Sequence, residues 1–300
     1  MANEFRGVLP ALFTPYDEKG RFDPDALHRL VEFVLGKGVY GGYVGGSTGE
    51  GLLLSVEERK QLTKTAVEAF NGRGKVIIHV GTLNTRDAAE IAAHAAEVGA
   101  DAVSSIPPIY YKYGPDEIHD YYREIGRAAG IPLFLYSIPK LVGMSFGADD
   151  LKRFRDIPQF KGIKFTDQNL FELRNIREDF GEDFVIFNGF DELLACGLMM
   201  GASGGIGTMY NYMPELFVGI YRAVEGDSCR KAFDLQYKVN RVIRLNLHYK
   251  GLSGAKAIMK MRGVDCGCAR EPLSRLSAEE ESEFRKALEG LDFFGSYLEV

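Results

Sequence analysis

The segment FKGIKF (160–165) ends in a run of buried-strand character, and its Lys164 is a residue type seldom buried without a partner. Two chemistries fit such a lysine. It can snorkel to solvent or pair with a carboxylate, or it can act as a nucleophile that forms an imine with a carbonyl substrate. Imine formation needs a neutral amine, and a free lysine with a pKa near 10.4 is only about 0.04% neutral at pH 7. Desolvation by the surrounding apolar strand acts in the required direction. A lysine imine also needs proton transfer. Tyr136 in PLFLYS (132–137), on the preceding strand, is the candidate, either as a shuttle in a hydroxyl relay with Thr48 and Tyr110 or as a core aromatic with its hydroxyl satisfied.

Other polar residues fall just after strand-like runs. Ser47 and Thr48 in GGSTGE (45–50) combine hydroxyls with small residues and free backbone N–H groups, which suits a carboxylate held close to the chain or, equally, a tight turn. Thr166 follows Lys164, Gly189 precedes the acidic pair Asp191 and Glu192 in NGFDE (188–192), and Gly207 and Thr208 close GGIGT (204–208). The acidic pair reads either as acceptors for a polyhydroxylated ligand or as the acid-rich start of a helix over LLACGLMM. His79 in VIIHVG (76–81) reads as a hydrogen-bonded core residue. The glycine-rich stretches match neither a phosphate-binding GK[ST] loop nor GxGxxG with a distant acid.

These residues need a frame that brings strand ends together. Eight candidate strands recur along the chain, at 7–14, 41–46, 75–81, 101–106, 132–137, 160–165, 184–189 and 204–208, with helical patterns between them. Asp23 with Pro24 opens one helix, carrying Leu27, Leu30, Val31 and Val34 on one face, and Ser55 with Glu58 forms a capping box for the next. Continuous apolar strands such as KVIIHVG and PLFLYS indicate a parallel sheet covered on both faces. The reading is an α/β fold, a (β/α)₈ barrel over 1–226, with a C-terminal helical extension over 227–300 built from helices near 228–248, 254–262 and 278–290. In that fold, catalytic side chains project from the C-terminal strand ends. The extension could serve oligomer contacts or close one end of the barrel.

The composition bounds the partners. A net charge of -6 argues against a broad basic footprint for nucleic acid or anionic membrane. No apolar run has the roughly 18–20 residues of a membrane span, and the first residues lack signal-peptide grammar, so a cytoplasmic protein is expected. Four cysteines read as reduced thiols, and five scattered histidines show no metal-ligand spacing, so no metal is expected.

Taken together, RGVLPALFTP (6–15), GGSTGE, DAVSS with PPIYY (101–111), YSIP (136–139), GIKFT (162–166), NGFDE, GASGGIGTMYN (201–211) and GVDCGCAREPL (263–273) resemble the N-acetylneuraminate lyase and dihydrodipicolinate synthase family of Schiff-base aldolases over essentially the full length. Leu141 stands where the synthase branch usually carries an arginine, so the chain is similar to the sialic acid lyases. The resemblance implies cleavage of N-acetylneuraminate to pyruvate and N-acetylmannosamine. Lys164 would form the imine, with no external cofactor, and Tyr136 would move protons. Ser47 and Thr48 near Gly207 would hold the carboxylate, while Thr166, Gly189, Asp191, Glu192 and Thr208 would meet the polyol. Tyr110 resembles a tyrosine that reaches a neighbouring subunit's site, implying a homotetramer. Thr208, Met209 and Lys140 depart from the usual lyase residues. The alternatives are a synthase or another pyruvate-dependent 2-keto acid aldolase, and more remotely a barrel that binds a sugar acid without turnover.

Overall fold

The computed structural model describes residues 4–300. Its centre is one eight-stranded sheet in which every neighbouring pair is parallel: β1 (Gly7–Pro10), β2 (Gly41–Val44), β3 (Lys75–His79), β4 (Ala102–Ser105), β5 (Leu133–Ser137), β6 (Phe160–Phe165), β7 (Val185–Asn188) and β8 (Gly204–Gly207). The sheet closes on itself through β1. Gly7 to Pro10 pair with Gly204 to Gly207 on one side. On the other, Tyr40 N donates to Val8 O, Leu12 N donates to Tyr43 O, and an isolated bridge joins Ala11 to Tyr43. The expected first strand, 7–14, is therefore shorter as a regular ladder, because beyond Pro10 the chain alternates its bonds between both neighbours: Ala11 N goes to Gly207 O and Leu12 N to Tyr43 O.

Helices follow the strands: α1 (Pro24–Leu35), α2 (Val56–Phe70), α3 (Thr85–Glu97), α4 (Pro115–Ala129), the short α5 (Pro139–Val142) and α6 (Ala148–Leu151), α7 (Leu170–Phe180), α8 (Leu194–Met199) and α9 (Pro214–Glu225). The start signals operate as the residues dictate. Asp23 accepts from Ala26 N at 3.0 Å with Pro24 in the first turn, and α1 buries Leu27, Leu30, Val31 and Val34. Ser55 and Glu58 exchange side-chain and backbone bonds at 3.2 and 2.9 Å. After α9 come α10 (Cys229–His248), α11 (Leu252–Met261) and α12 (Ala278–Glu289). Gln236 of α10 accepts from Ala195 N and donates to Asp191 O, tying the extension to the α8 end of the barrel. No helix among the described residues is long and apolar enough to cross a membrane, and all four cysteines are free.

The pleat divides the core in two. Leu133, Leu135, Ile163, Phe165 and Ile186 belong to the layer between strands and helices. Phe134, Tyr136, Val185, Phe187, Leu9, Tyr43, Ile77 and Ile206 form a second cluster inside the barrel. Register places Gly162 beside Phe134 and Val185, and Lys164 beside Tyr136 and Phe187, so Gly162 and Lys164 share the inward phase of β6. Gly162 is required there by close approach: a Cβ would stand 2.9 Å from Phe134 Cδ1 and closer still to the Val185 carbonyl. Gly162→Ala should therefore cost about 1–3 kcal/mol through overpacking, read as a lowered denaturation midpoint at unchanged slope. An unchanged midpoint would show that the lumen has slack at this layer.

Candidate active site

Lys164 is 5% exposed although it carries the only inward-pointing amine on β6. Its Nζ lies 4.0 Å from the ring centroid of Tyr136 and 4.5 Å from that of Tyr43, whose rings meet edge to face at 6.0 Å. Among the described residues no carboxylate comes within ion-pairing distance of it. Tyr43 is itself fixed by donating to Ser104 Oγ at 3.1 Å, and burial pushes its phenol well above the ordinary range. The result is an amine seated between two aromatic faces, with its strand neighbour Tyr136 in contact.

A second group of residues closes the mouth. The hydroxyls of Thr48, after β2, and Thr208, after β8, are 2.6 Å apart. Thr48 is buried, whereas Ser47 beside it is exposed. Asp191, in the turn after β7, is buried and accepts Met209 N at 2.6 Å. Burial raises its carboxyl to about 7, aided by Glu192 and opposed by the Met209 N–H and by Lys164. Gly207 lies against this carboxylate so closely that a Cβ would fall on it. Thr166 is buried with its Oγ1 lacking a partner among the described residues, and it packs against Gly189, whose N–H donates to Phe165 O at 2.8 Å. Glu192 is half-buried, with its backbone carbonyl held by Asn240 Nδ2 at 3.1 Å.

The fold thus gathers Lys164, Tyr136, Thr48, Thr166, Gly189, Asp191, Glu192, Gly207 and Thr208 at one end of the barrel. It does not bring Tyr110 there within one chain. Tyr110 is 89% exposed at φ +83°, packed against the also exposed Tyr111 at 5.1 Å, and it bonds neither Thr48 nor Tyr136. The departures find different uses. Thr208 keeps the hydroxyl of a serine. Met209 meets Asp191 through its backbone, while its sulfur accepts from Tyr212 Oη at 2.6 Å in the core. Lys140 is exposed, and Leu141 is 63% exposed on α5.

Three participants were not singled out from sequence. Tyr43 was readable, because strand alternation in GGYVGG gives it the inward phase. Arg59 of α2 is buried without a carboxylate, donating to Gly81 O at 2.8 Å and to the His79 carbonyl, and burial lowers it to about 10. Beside it His79 is a buried neutral imidazole, held well below its usual range by burial and by Arg59 and Lys164, and its Nε2 accepts from Ile106 N at 3.3 Å. The third is Lys256 of α11, behind the GGSTGE turn.

An eight-stranded parallel barrel whose polar residues converge on one inward lysine defines the class of protein to which this chain compares. The chain belongs to the Dihydrodipicolinate synthetase family, whose model matches residues 4–291. It is 38% identical over 276 residues to the N-acetylneuraminate lyase of Citrobacter koseri, covering 91% of this chain and 93% of that protein. Wild-type sialic acid aldolase from Ruminococcus gnavus superposes with a TM-score of 0.93 at 32% identity, covering 97% of this chain and 98% of that one. The dihydrodipicolinate synthase of Aquifex aeolicus reaches 0.90 at 28% identity over 96% and 98%.

The raised carboxyl of Asp191 has a defined consequence for stability. Between its unfolded value of 3.8 and about 7 the native state keeps a proton that the unfolded chain has released, so stability falls as pH rises through that window. The fall amounts to about 4 kcal/mol and levels off above the upper limit. Asp191→Asn should remove it, so variant and parent should diverge in denaturation midpoint from pH 4 to 7. Parallel midpoints across that range would place the proton elsewhere.

Proposed function

We propose that the chain is a Schiff-base aldolase that cleaves N-acetylneuraminate to pyruvate and N-acetylmannosamine. The observation that carries this reading is the inward, carboxylate-free Lys164 between Tyr43 and Tyr136, in a chain of this family whose similar relatives include N-acetylneuraminate lyases. The amine attacks the C2 ketone, and the carbinolamine loses water to give a protonated imine. The C4 hydroxyl then gives up its proton, the C3–C4 bond breaks, and its electron pair passes into the imine to leave an enamine. N-acetylmannosamine departs. Protonation at C3 and hydrolysis release pyruvate and regenerate the lysine, so the cycle uses no added cofactor.

Tyr136, in contact with Nζ, moves the protons of carbinolamine dehydration and C4 deprotonation. Ser47, Thr48 and the backbone at Gly207 receive the substrate carboxylate. Thr166, with its unpartnered hydroxyl, joins Gly189, Asp191, Glu192 and Thr208 against the polyol. The exposed Tyr110–Tyr111 pair supports a homotetramer in which Tyr110 completes a neighbour's hydroxyl relay, and four free thiols are in keeping with a cytoplasmic setting. Leu141 offers no cation for a second substrate carboxylate, which favours the sugar acid over the aspartate semialdehyde route.

Borohydride with pyruvate should add a reduced three-carbon unit to Lys164, located by mass spectrometry of peptides. Lys164→Ala should abolish both adduct and turnover, and Tyr136→Phe should cut kcat by about 10²–10⁴-fold. Sialic acid cleavage, followed by pyruvate release, should exceed condensation of pyruvate with aspartate semialdehyde. An unmodified Lys164 with intact pyruvate binding, or activity confined to the condensation, would overturn the proposal.

A further inference from the structure

The mechanism leaves one buried ion pair unused. Glu50, the last residue of the GGSTGE turn, holds a left-handed backbone at φ +56° and has a fully buried side chain. Its Oε1 lies 2.7 Å from Nζ of Lys256 on α11, and its Oε2 accepts the backbone N–H of Arg270 at 2.6 Å across 220 residues of sequence. The same ammonium donates to Thr14 O at 3.0 Å and to Cys268 O at 3.1 Å. Two of its protons are thus taken by backbone carbonyls, and the Glu50 carboxylate holds it at ion-pair distance. The hydroxyl of Thr14 in turn bonds Gly49 O at 2.5 Å, a second pin on the same turn. Outside it, the Arg270 guanidinium spans Glu58 at 2.7 and 3.1 Å, Leu53 O at 3.1 Å and Gly20 O at 2.9 Å.

From this geometry we infer that Lys256, seconded by Arg270, is a positioning residue for the carboxylate-binding turn, and that the C-terminal extension is part of the active-site machinery. The inference rests on the assignment of Ser47 and Thr48 to the substrate carboxylate. A buried ion pair is a poor means of adding stability, since apolar residues of equal volume do as well or better. It is an effective means of fixing one geometry. Thr48 stands two residues before Glu50 and already faces Thr208 at 2.6 Å, so a small rotation of the turn would move its hydroxyl and the neighbouring N–H groups off the carboxylate. Lys256 holds the far end of that turn from behind. Neither Lys256 nor Glu50 needs to touch substrate to do so.

The test uses the full chain and reads the pyruvate concentration that half-saturates borohydride trapping at Lys164, with KM and kcat for sialic acid cleavage and a thermal melt. Glu50→Gln with Lys256→Met removes both charges together and takes the ammonium from Thr14 O and Cys268 O, a loss of stability that the thermal melt reads separately from binding. It should raise the half-saturating pyruvate concentration and KM by about tenfold or more, as expected of displaced binding groups, with a smaller change in kcat. Thr14→Val, a gentler change that removes one pin, should raise them about threefold, the worth of one hydrogen bond. Lys256→Arg should recover much of the parent's pyruvate affinity. If the variants only melt earlier and keep the parent's half-saturation, the pair is structural and the inference is overturned. If the parent itself is not trapped, the functional reading fails and takes this inference with it.

Discussion

The amine of Lys164 is the group around which the rest must be arranged. The pleat of β6 turns it inward, into a lumen whose flanking strands contribute Phe134, Tyr136, Val185 and Phe187. Burying an ammonium costs several kcal/mol, and an aromatic face returns only about 0.5–2 kcal/mol. A carboxylate would settle the account, but none is within reach among the described residues. The seat therefore leaves the amine without a counter-charge among the described residues, held by the faces of Tyr43 and Tyr136 alone. Gly162, one inward position below, clears the space in which Phe134 and the backbone of β7 can pack under the lysine.

The other buried charges obey the same constraint in two contrasting ways. Asp191 has a backbone N–H on its carboxylate and, among the described residues, no cation in contact, so burial wins and its proton is held to about neutral pH. Glu50 is buried as deeply but faces an ammonium and an amide N–H. Lys256 is itself pulled down by burial and pushed back up by Glu50. One carboxyl is thus left able to change its hydrogen-bonding role at the mouth of the barrel. The other is held by an ion pair and a backbone N–H and is suited to holding backbone in place. The difference lies in partners, not in depth.

Local grammar made most of the frame legible. The caps at Asp23 and Ser55 act within a few residues, and apolar runs such as PLFLYS match a parallel strand buried on both faces. The position of Lys164 at a strand end could be read the same way, but its meaning came only from the motifs around it. What local pattern could not carry was pairing across the chain. Lys256 looks like one polar residue on an amphipathic helix until the fold brings it to Glu50, and Arg59 reads as an ordinary surface position of α2. Met209 is a different case: its side chain type drew attention, yet the structure uses its backbone N–H, which any residue but proline would supply. Tyr110 lies beyond what one chain can explain, since its surroundings in the chain are solvent and Tyr111.

Backbone likeness alone does not choose a substrate within this family, because a sialic acid aldolase and a dihydrodipicolinate synthase superpose on the chain almost equally well. Discrimination must therefore come from groups that meet the part of the substrate beyond the keto acid. On the proposed assignment the chain offers hydroxyls and carboxylates there: Thr166 with a free hydroxyl, Thr208, Asp191 poised near neutrality, and Glu192. Acceptors that can also donate suit a chain of hydroxyl groups, whereas a second carboxylate would be repelled by Asp191 once ionised and by Glu192. With an exposed leucine at 141 in place of a cation, electrostatics and hydrogen-bond capacity point in the same direction, toward a neutral polyol tail.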